Sequence, residues 1–420
     1  GAAGLWNDGR LRRAARTDGA VTAALQKCKG DLKRAAAQDR NIRYLSLALD
    51  SLGGVVSRLQ GKRAMIITDP IMVSLGIIDR AQAAVKGEVH SYADGEIEPS
   101  TEAVERCAEA MREFQPDVTI AIGGGSNMDL AKLTCASVCS DKVPASLLGF
   151  DQIPCPIGPL ICVPTTAGTG SESSASAVIL NTASQMKAAA ISPHLRPEIA
   201  LVDPELSVSC PPKLTAESGI DALTHAIEAY LAIDSTSLAE PDSGLLAYEG
   251  SHPLGDLYAE KAIRLIGAHF LTVMSQPENI DARSEMALAA TLGGLAFSNC
   301  GVALAHALEY PIGHQYQCAH GAGNGIVLPE VMRFLAPARE ERLANIATFL
   351  GAEPSAESAI AAVIQLRKAA GLPQNLQEVG AKKEELPALA TTAFSLQRLM
   401  DLSPVRPTEA DLLEILKASY

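Results

Sequence analysis

Short β-branched runs recur through the first half of this chain and then stop. Between about Asn41 and Cys210, "RAMIIT" (63–68), "DVTIAIGG" (117–124), "PLICVPT" (159–165) and "EIALVDP" (198–204) each give way to Gly, Pro, Asp or Thr, with helix-forming segments between them. Such alternation predicts parallel strands joined by crossover helices, an α/β domain that takes its ligands at the carboxyl ends of the strands. After "CPPKLTAES" (210–218) the sequence reads as helix after helix, broken at points such as "HPLGD", "GAEPSAES" and "GLPQN". The expected organisation is an N-terminal extension over 1–40, an α/β domain over 41–212 and an all-helical domain over 213–420. One segment, 231–256, is rich in Ser, Pro, Gly and Asp, and so long a loop in a compact domain is expected to be a surface elaboration or a wall of a binding cleft.

A chain of 420 residues is too long for one hydrophobic core, which agrees with two domains. The formal net charge is −13 and no block of Lys and Arg recurs beyond the first forty residues, which argues against nucleic acid as a partner. Met286 to Leu308 is a stretch of 23 residues without Asp, Glu, Lys or Arg, long enough to span a bilayer. Its Gly293, Gly294, Gly301, Ser298, Asn299 and His306 suit a buried helix instead, so no membrane association is expected. Nine cysteines, an odd number without a CxxC pair, read as buried or free thiols in a reducing compartment. Residues 1–40 carry Arg10, Arg12, Arg13 and Arg16, but also Asp8 and Asp18. They are read as a processed targeting piece, a leftover of expression or an added amphipathic helix. The expected location is the cytoplasm, with an organelle or microcompartment open because of this extension.

"TIAIGGGSNMDLAK" (119–132) runs from an apolar strand through Gly123, Gly124 and Gly125 into a helix that begins near Ser126. Three glycines let backbone N–H groups approach an anion, and a helix N-terminus adds favourable partial charge. The same pattern also serves as a plain tight turn, since it is not GxGxxG. "PTTAGTGSE" (164–172) supplies a second strand-end loop with Thr165, Thr166 and Thr169, and two such loops suit one dinucleotide. Asp69, after "RAMIIT", stands where a carboxylate accepts from ribose hydroxyls and repels a 2′-phosphate, favouring NAD over NADP. A turn or cap residue before Pro70 is the other reading.

"GIDALTHAIEAY" (219–230) places Asp221 and His225 four apart on one face of an apolar helix, where two polar groups need a partner. His306 and His320 flank "ALEYPIGHQYQCA". A buried histidine alone is ordinarily a satisfied core residue, but of eight in the chain, four (His225, His306, His314, His320) fall in the most apolar helical stretches. One carboxylate and three imidazoles suit a divalent metal such as Fe²⁺ or Zn²⁺, and the lack of thiolates argues against a structural zinc site.

Together "GGGSNMDLAK", "PTTAGTGSE", "ALVDPEL", "GIDALTHAIEAY" and "AHALEYPIGHQYQCAHG" resemble the iron-containing (group III) alcohol dehydrogenases, over about residues 43–410. The resemblance implies a Rossmann-like dinucleotide-binding domain and a C-terminal helical domain, a dehydroquinate synthase-like fold, with a catalytic metal in the cleft between them. It implies metal ligands at Asp221, His225, His306 and His320. Pyrophosphate contacts are implied at Gly123, Gly124, Gly125 and Ser126, further nucleotide contacts at Thr165, Thr166, Thr169, Lys187 and Asp129, and a ribose acid at Asp69. The implied function is NAD-linked interconversion of a small primary alcohol and its aldehyde, in a homo-oligomer, expected to be a dimer.

Three departures stand out. Where many members carry a second histidine one turn after the third ligand, this chain has Tyr310, so Tyr310, His314 or a water is expected to relay the proton. "DGEIEPS" (94–100) replaces a proline-asparagine-proline pattern and leaves Glu98 near the nucleotide, and the 231–256 loop is long. These features resemble the hydroxyacid-oxoacid transhydrogenase branch, acting on a hydroxy acid such as 4-hydroxybutyrate, although "HQYQCAHG" keeps the shorter spacing of ordinary alcohol dehydrogenases. A non-catalytic nucleotide- or metal-binding member is a third reading.

Overall fold

Each of the four β-branched runs forms a strand. The computed structural model describes residues 42–44, 48–184, 186–238 and 247–420; the expected extension over 1–40 and the tip of the 231–256 loop lie outside the described residues. The strands are β1 (Ile42–Tyr44), β2 (Arg63–Ile67), β3 (Glu88–Tyr92), β4 (Val118–Gly123), β5 (Gly149–Phe150), β6 (Leu160–Pro164), β7 (Ser176–Asn181), β8 (Met186–Ile191) and β9 (Ile199–Val202). Six of them form one sheet in the order β1-β9-β6-β4-β2-β3. Every pairing in it is parallel. Both faces are buried. Ile66, Ile120, Ile122, Ile161 and Val163 pack on one side, and Met65, Ile67, Ala121 and Cys162 on the other. That period of two with apolar residues on both sides is what a helix-covered parallel sheet requires.

The helices of this half are α1 (Leu52–Arg58), α2 (Pro70–Ser74), α3 (Ile77–Ala84), α4 (Thr101–Phe114) and α5 (Gly125–Ser140). From β2 the chain goes to β3 on one side and then to β4 on the other, so the strand order switches between β2 and β4. A crevice opens at such a point at the strands' carboxyl ends, which here are Asp69 and the glycine turn. Five strands, β1, β3, β5, β7 and β8, went unread in the sequence. β3, "EVHSY", is largely polar and buries only Tyr92, as suits its place at the edge of the sheet. β7 and β8 form an antiparallel hairpin, joined by β5 into a second, three-stranded sheet. The strand "MKAAAI" is hidden from propensity by its alanines, which favour helix unless tertiary packing decides otherwise.

The helical part comprises α6 (Pro212–Leu231), α7 (Pro253–Ser275), α8 (Ile280–Cys300), α9 (Leu304–Tyr316), α10 (His320–Phe349), α11 (Ala356–Ala369), α12 (Leu386–Phe394), α13 (Gln397–Asp401) and α14 (Glu409–Ala418). It shares one compact unit, Asn41–Tyr420, with the sheet. The charge-free stretch 286–308 is buried as expected, but it is two helices rather than one. Gly301, at φ 94°, ends α8, and α9 leaves at 108° to it. A side chain at Gly301 would meet Leu402 Cδ1 at 2.8 Å and Tyr248 Cβ at 3.1 Å, so glycine is required for space as well as for its backbone angle. No single helix among the described residues is long and apolar enough to cross a membrane.

α10 contains Pro329 and Pro337 and loses helical geometry at Arg339, a proline-induced kink. The Arg339 guanidinium donates to Leu231 O and Ala232 O, carbonyls at the C-terminus of α6 that the helix itself leaves unpaired. The described ends of the long loop are pinned, Arg339 pairing with Asp234 at 3.2 Å and Arg342 with Asp256 at 2.9 Å. Beyond its tip Tyr248 is only 2 % exposed and meets Phe150 of β5 edge-on, 6.1 Å between centroids. The described end of the loop at Tyr248 therefore packs inward against β5.

Candidate metal centre and nucleotide cleft

Asp221 and His225 lie one turn apart on α6, with side chains 4 % and 6 % exposed. The sharp break after α8 turns α9 so that His306 points at the same spot, and α10 begins with His320. One ligand atom from each of Asp221, His225, His306 and His320 falls within 4.8 Å of all the others. The rings stack in sequence: Phe297 on His225 (4.4 Å), His225 on His306 (4.8 Å), then His306 against His320 (5.2 Å).

Two glutamates fix how these rings face, and sequence reasoning missed both. Glu228 Oε2 accepts from His306 Nδ1 at 2.6 Å, and the same carboxylate accepts from Ala303 N at 3.1 Å and Ala305 N at 2.6 Å. It therefore anchors the ring and neutralises the free N–H groups at the start of α9. Glu309 Oε2 accepts a short hydrogen bond from His320 Nδ1. With Nδ1 engaged, each ring turns Nε2 inward, where Asn324 Nδ2 lies 3.3 Å from His306 Nε2, 3.2 Å from His320 Nε2 and 3.1 Å from Asp221 Oδ1. Metal-binding imidazoles are held in this way by carboxylates that set the tautomer. His225 Nδ1 is buried with no hydrogen-bond partner, so the pocket holds donor capacity that its own residues do not satisfy.

Burial alone would raise the Asp221 carboxyl, but the imidazoles of His225, His320 and His306 outweigh it and hold the group below its ordinary value. Burial pushes His225 down to about 4. Burial would also lower His320, yet Glu309 and Asp221 raise it to about 9. The pocket thus holds an ionised Asp221 carboxylate beside a neutral His225 imidazole, and a cation that enters displaces the proton His320 carries.

The closeness of α6 and α10 depends on Gly321, where an added Cβ would sit 1.9 Å from Glu217 O and 3.0 Å from Asp221 Cβ. Gly321→Ala is expected to force α10 and its His320 away from Asp221, costing about 1–3 kcal/mol of stability. A thermal melt and a metal titration against a chromogenic chelator check this: both should weaken together.

The two nucleotide loops meet. Thr165 N donates to Gly123 O at 2.9 Å, and a Cβ on Gly125 would strike Thr169 Cγ2 at 2.7 Å. Gly123 has φ 143°, and the Asn127 amide fills the space where its Cβ would stand. Ser126 Oγ donates to Ile97 O at 2.5 Å. Asp69 is a helix cap: Oδ1 accepts from Ile71 N at 2.7 Å and Met72 N at 3.1 Å, and Oδ2 from Asn127 Nδ2 at 2.5 Å. The cap reading is thus realised, at the crevice position that the ribose reading also requires. Thr166 stands 3.7 Å from the Cβ position of Gly124.

Glu98 pairs with Lys187 at 2.7 Å, and the Lys187 ammonium is near enough to His320 to oppose its protonation. Asp129 accepts from Ser171 Oγ at 2.6 Å and Val178 N at 2.9 Å, so its carboxylate braces the threonine loop against β7. Lys132, which sequence reasoning did not single out, is fully buried and donates to Ser171 Oγ, Ser174 O, Ser174 Oγ and Ser176 O at 2.8–3.1 Å. Desolvation lowers Lys132, while Asp129 opposes that shift.

Tyr310 lies 6.2 Å from His320 between ring centroids, and burial raises its phenol well above the usual range, so it stays protonated. His314, one turn further along α9, is half-buried and outside the four-ligand cluster.

Residues 40–204 match the family model described as iron-containing alcohol dehydrogenase, and residues 246–420 the C-terminal model of the Fe-containing alcohol dehydrogenase family. The chain is 36 % identical over 387 residues to long-chain-alcohol dehydrogenase 1 of Geobacillus thermodenitrificans (strain NG80-2), covering 89 % of this chain and 93 % of that protein. It is 31 % identical to NAD-dependent methanol dehydrogenase of Bacillus methanolicus, covering 88 % and 95 %. Among solved structures, that of 1,3-propanediol oxidoreductase superposes with a TM-score of 0.84 at 29 % identity, over 90 % of this chain and 98 % of the other.

Proposed function

The chain belongs to the iron-containing alcohol dehydrogenase family, and from that membership we propose that Asp221, His225, His306 and His320 hold a divalent iron beside NAD for the interconversion of a small primary alcohol and its aldehyde. The observation that carries the assignment is the convergence of four ligand atoms within 4.8 Å, two of them on rings already locked by Glu228 and Glu309. The donor set fits the ion: one carboxylate and three imidazoles suit Fe²⁺ and accept Zn²⁺. When bound, the metal supplies Lewis acidity to the substrate oxygen, and the nicotinamide supplies or takes the hydride.

The chain's own residues do the rest. Gly123, Gly124, Gly125 and Ser126 present backbone N–H groups and the α5 N-terminus to the pyrophosphate. Thr165, Thr166, Thr169 and Lys187 close on the dinucleotide from the neighbouring loop and β8. Asp69 accepts from the ribose while capping α2, and Asp129 and Glu98 act one step back, bracing the threonine loop and orienting Lys187. Tyr310, a neutral phenol beside His320, is the group placed to pass the alcohol proton outward, with His314, one turn further along α9, or a water as the alternative relay. The relatives named above favour this reading over hydroxyacid-oxoacid transhydrogenation. On the same reading the enzyme works in the cytoplasm on small molecules, as a homodimer whose mass sedimentation velocity would give.

The test is to strip the protein with a chelator, reload it with Fe²⁺ under anaerobic conditions and assay short aldehydes with NADH and NADPH side by side. NADH oxidation with at least one aldehyde, and a clear preference over NADPH, is expected. Metal bound without turnover across the aldehyde panel would contradict the assignment. Turnover of a hydroxy acid and an oxo acid without added NAD would replace it with the transhydrogenase reading.

A further inference from the structure

Away from the metal and nucleotide loops, the structure places two thiols in contact. Cys139 lies in the last turn of α5, and Cys155 stands between Pro154 and Pro156 in the segment that leads from β5 to β6. Their Sγ atoms are 3.0 Å apart and both cysteines are free. Because α5 runs back from the glycine turn and β6 starts here, the pair sits at the amino edge of the sheet. The 16 residues of α5 separate it from the pyrophosphate cradle by about 24 Å. Cys139 is exposed and lines an open cavity of about 390 Å³ together with Arg112 and Gly158. A disulfide bond is about 2.05 Å long, so bond formation needs the sulfurs, now 3.0 Å apart, to close by about 1 Å. The two prolines restrict the segment around Cys155, so little further chain freedom is lost when it is tied down.

We infer that Cys139 and Cys155 form a reversible disulfide site, oxidised by low-molecular-weight disulfides of the glutathione class and reopened by the corresponding thiols. Partial burial and the neighbouring Cys155 thiol push the Cys139 thiol up to about 12, which disfavours Cys139 as the first nucleophile. The Cys155 thiolate displaces one thiol from the small disulfide and forms a mixed disulfide. Cys139, releasing its proton to water, then attacks the Cys155 sulfur and expels the second thiol. Two protein thiols are oxidised to one disulfide while one small disulfide is reduced to two thiols, so atoms and electrons balance. The bond closes the 139–155 segment and ties the end of α5 to the entry of β6. It restricts the unfolded chain and leaves the nucleotide cradle at the far end of α5 free.

Reduced, desalted full-length protein incubated with oxidised glutathione tests this. The expected result is an intact mass lower by two hydrogens, a non-reduced peptide map joining the Cys139 and Cys155 peptides, and a melting temperature raised by a few degrees and restored by dithiothreitol. Cys155→Ser, a near-isosteric change at a half-buried loop position, should fold but show neither the crosslink nor the thermal shift, while Cys162→Ser should retain both. Stable glutathione adducts without a crosslink, or a crosslink that forms only in denaturant, would overturn the assignment. So would an oxidised protein that no longer binds NADH, because the crosslink is placed where it leaves that site untouched.

Discussion

His306→Ala is expected to abolish metal retention and turnover together, with kcat/KM for aldehyde reduction falling by at least about 10³-fold, since Lewis-acid stabilisation is worth several kcal/mol at 1.36 kcal/mol per decade. His306 is 3 % exposed and supplies the ligand nitrogen that joins α9 to the cluster. Its loss leaves three donors and removes one partner of Glu228. That carboxylate still accepts from Ala303 N and Ala305 N, so the start of α9 stays anchored and the fold should survive. His306→Gln, which fills the space without an imidazole, separates loss of ligation from loss of packing. Both variants should melt cooperatively near the parent's metal-free temperature and fail to retain iron after gel filtration. A variant that kept full activity would remove His306 from the site.

The second large effect lies one bond further out. Glu309→Gln and Glu228→Gln are each expected to weaken metal binding about 10–100-fold, the usual consequence of losing the carboxylate behind a metal-bound imidazole. An amide can still accept from Nδ1 but no longer holds the charge that raises the imidazole's basicity. Dissociation constants from chelator competition are the readout, with kcat at saturating metal separating weaker loading from damaged chemistry. Glu228→Gln should lose thermal stability as well, because its carboxylate also faces the N-terminus of α9. Glu309→Gln should weaken the metal with little thermal penalty beyond that of a buried polar change. Metal affinity equal to the parent's in both variants would show that the two carboxylates do not tune the ligands.

The sequence-level signals that succeeded were local. Asp221 and His225 announced themselves through helical spacing, and the glycine turn through its position between a strand and a helix. Strands β2, β4, β6 and β9 lay within the β-branched runs to within two residues at each end. What stayed hidden crosses between elements. Glu228 and Glu309 each follow a histidine by three residues, as "HAIE" and "HALE", yet neither serves the histidine in its own motif. Glu228 holds His306, and Glu309 holds His320. Spacing along one helix cannot show a partner on the next, although the repeated motif was a visible sign. Lys132 was hidden for the opposite reason: a lysine in a helix reads as solvated, and only the fold shows four oxygens gathered around its ammonium. Asp69 supported two readings in the sequence, and its carboxylate turns out to cap α2 while facing the β2–β4 crevice. Tyr310, which stands where the resemblance implied a second histidine, comes to lie beside His320.

The central claim is that one metal at Asp221, His225, His306 and His320 enables NAD-linked alcohol and aldehyde interconversion. Its most direct test is an anaerobic titration of the metal-free protein with Fe²⁺, following bound metal and NADH oxidation with a short aldehyde on the same samples. One ion per chain, with turnover rising in proportion to occupancy and reaching its plateau at that stoichiometry, is the predicted result. Full turnover in the metal-free protein, or an activity that ignores occupancy, would contradict the account.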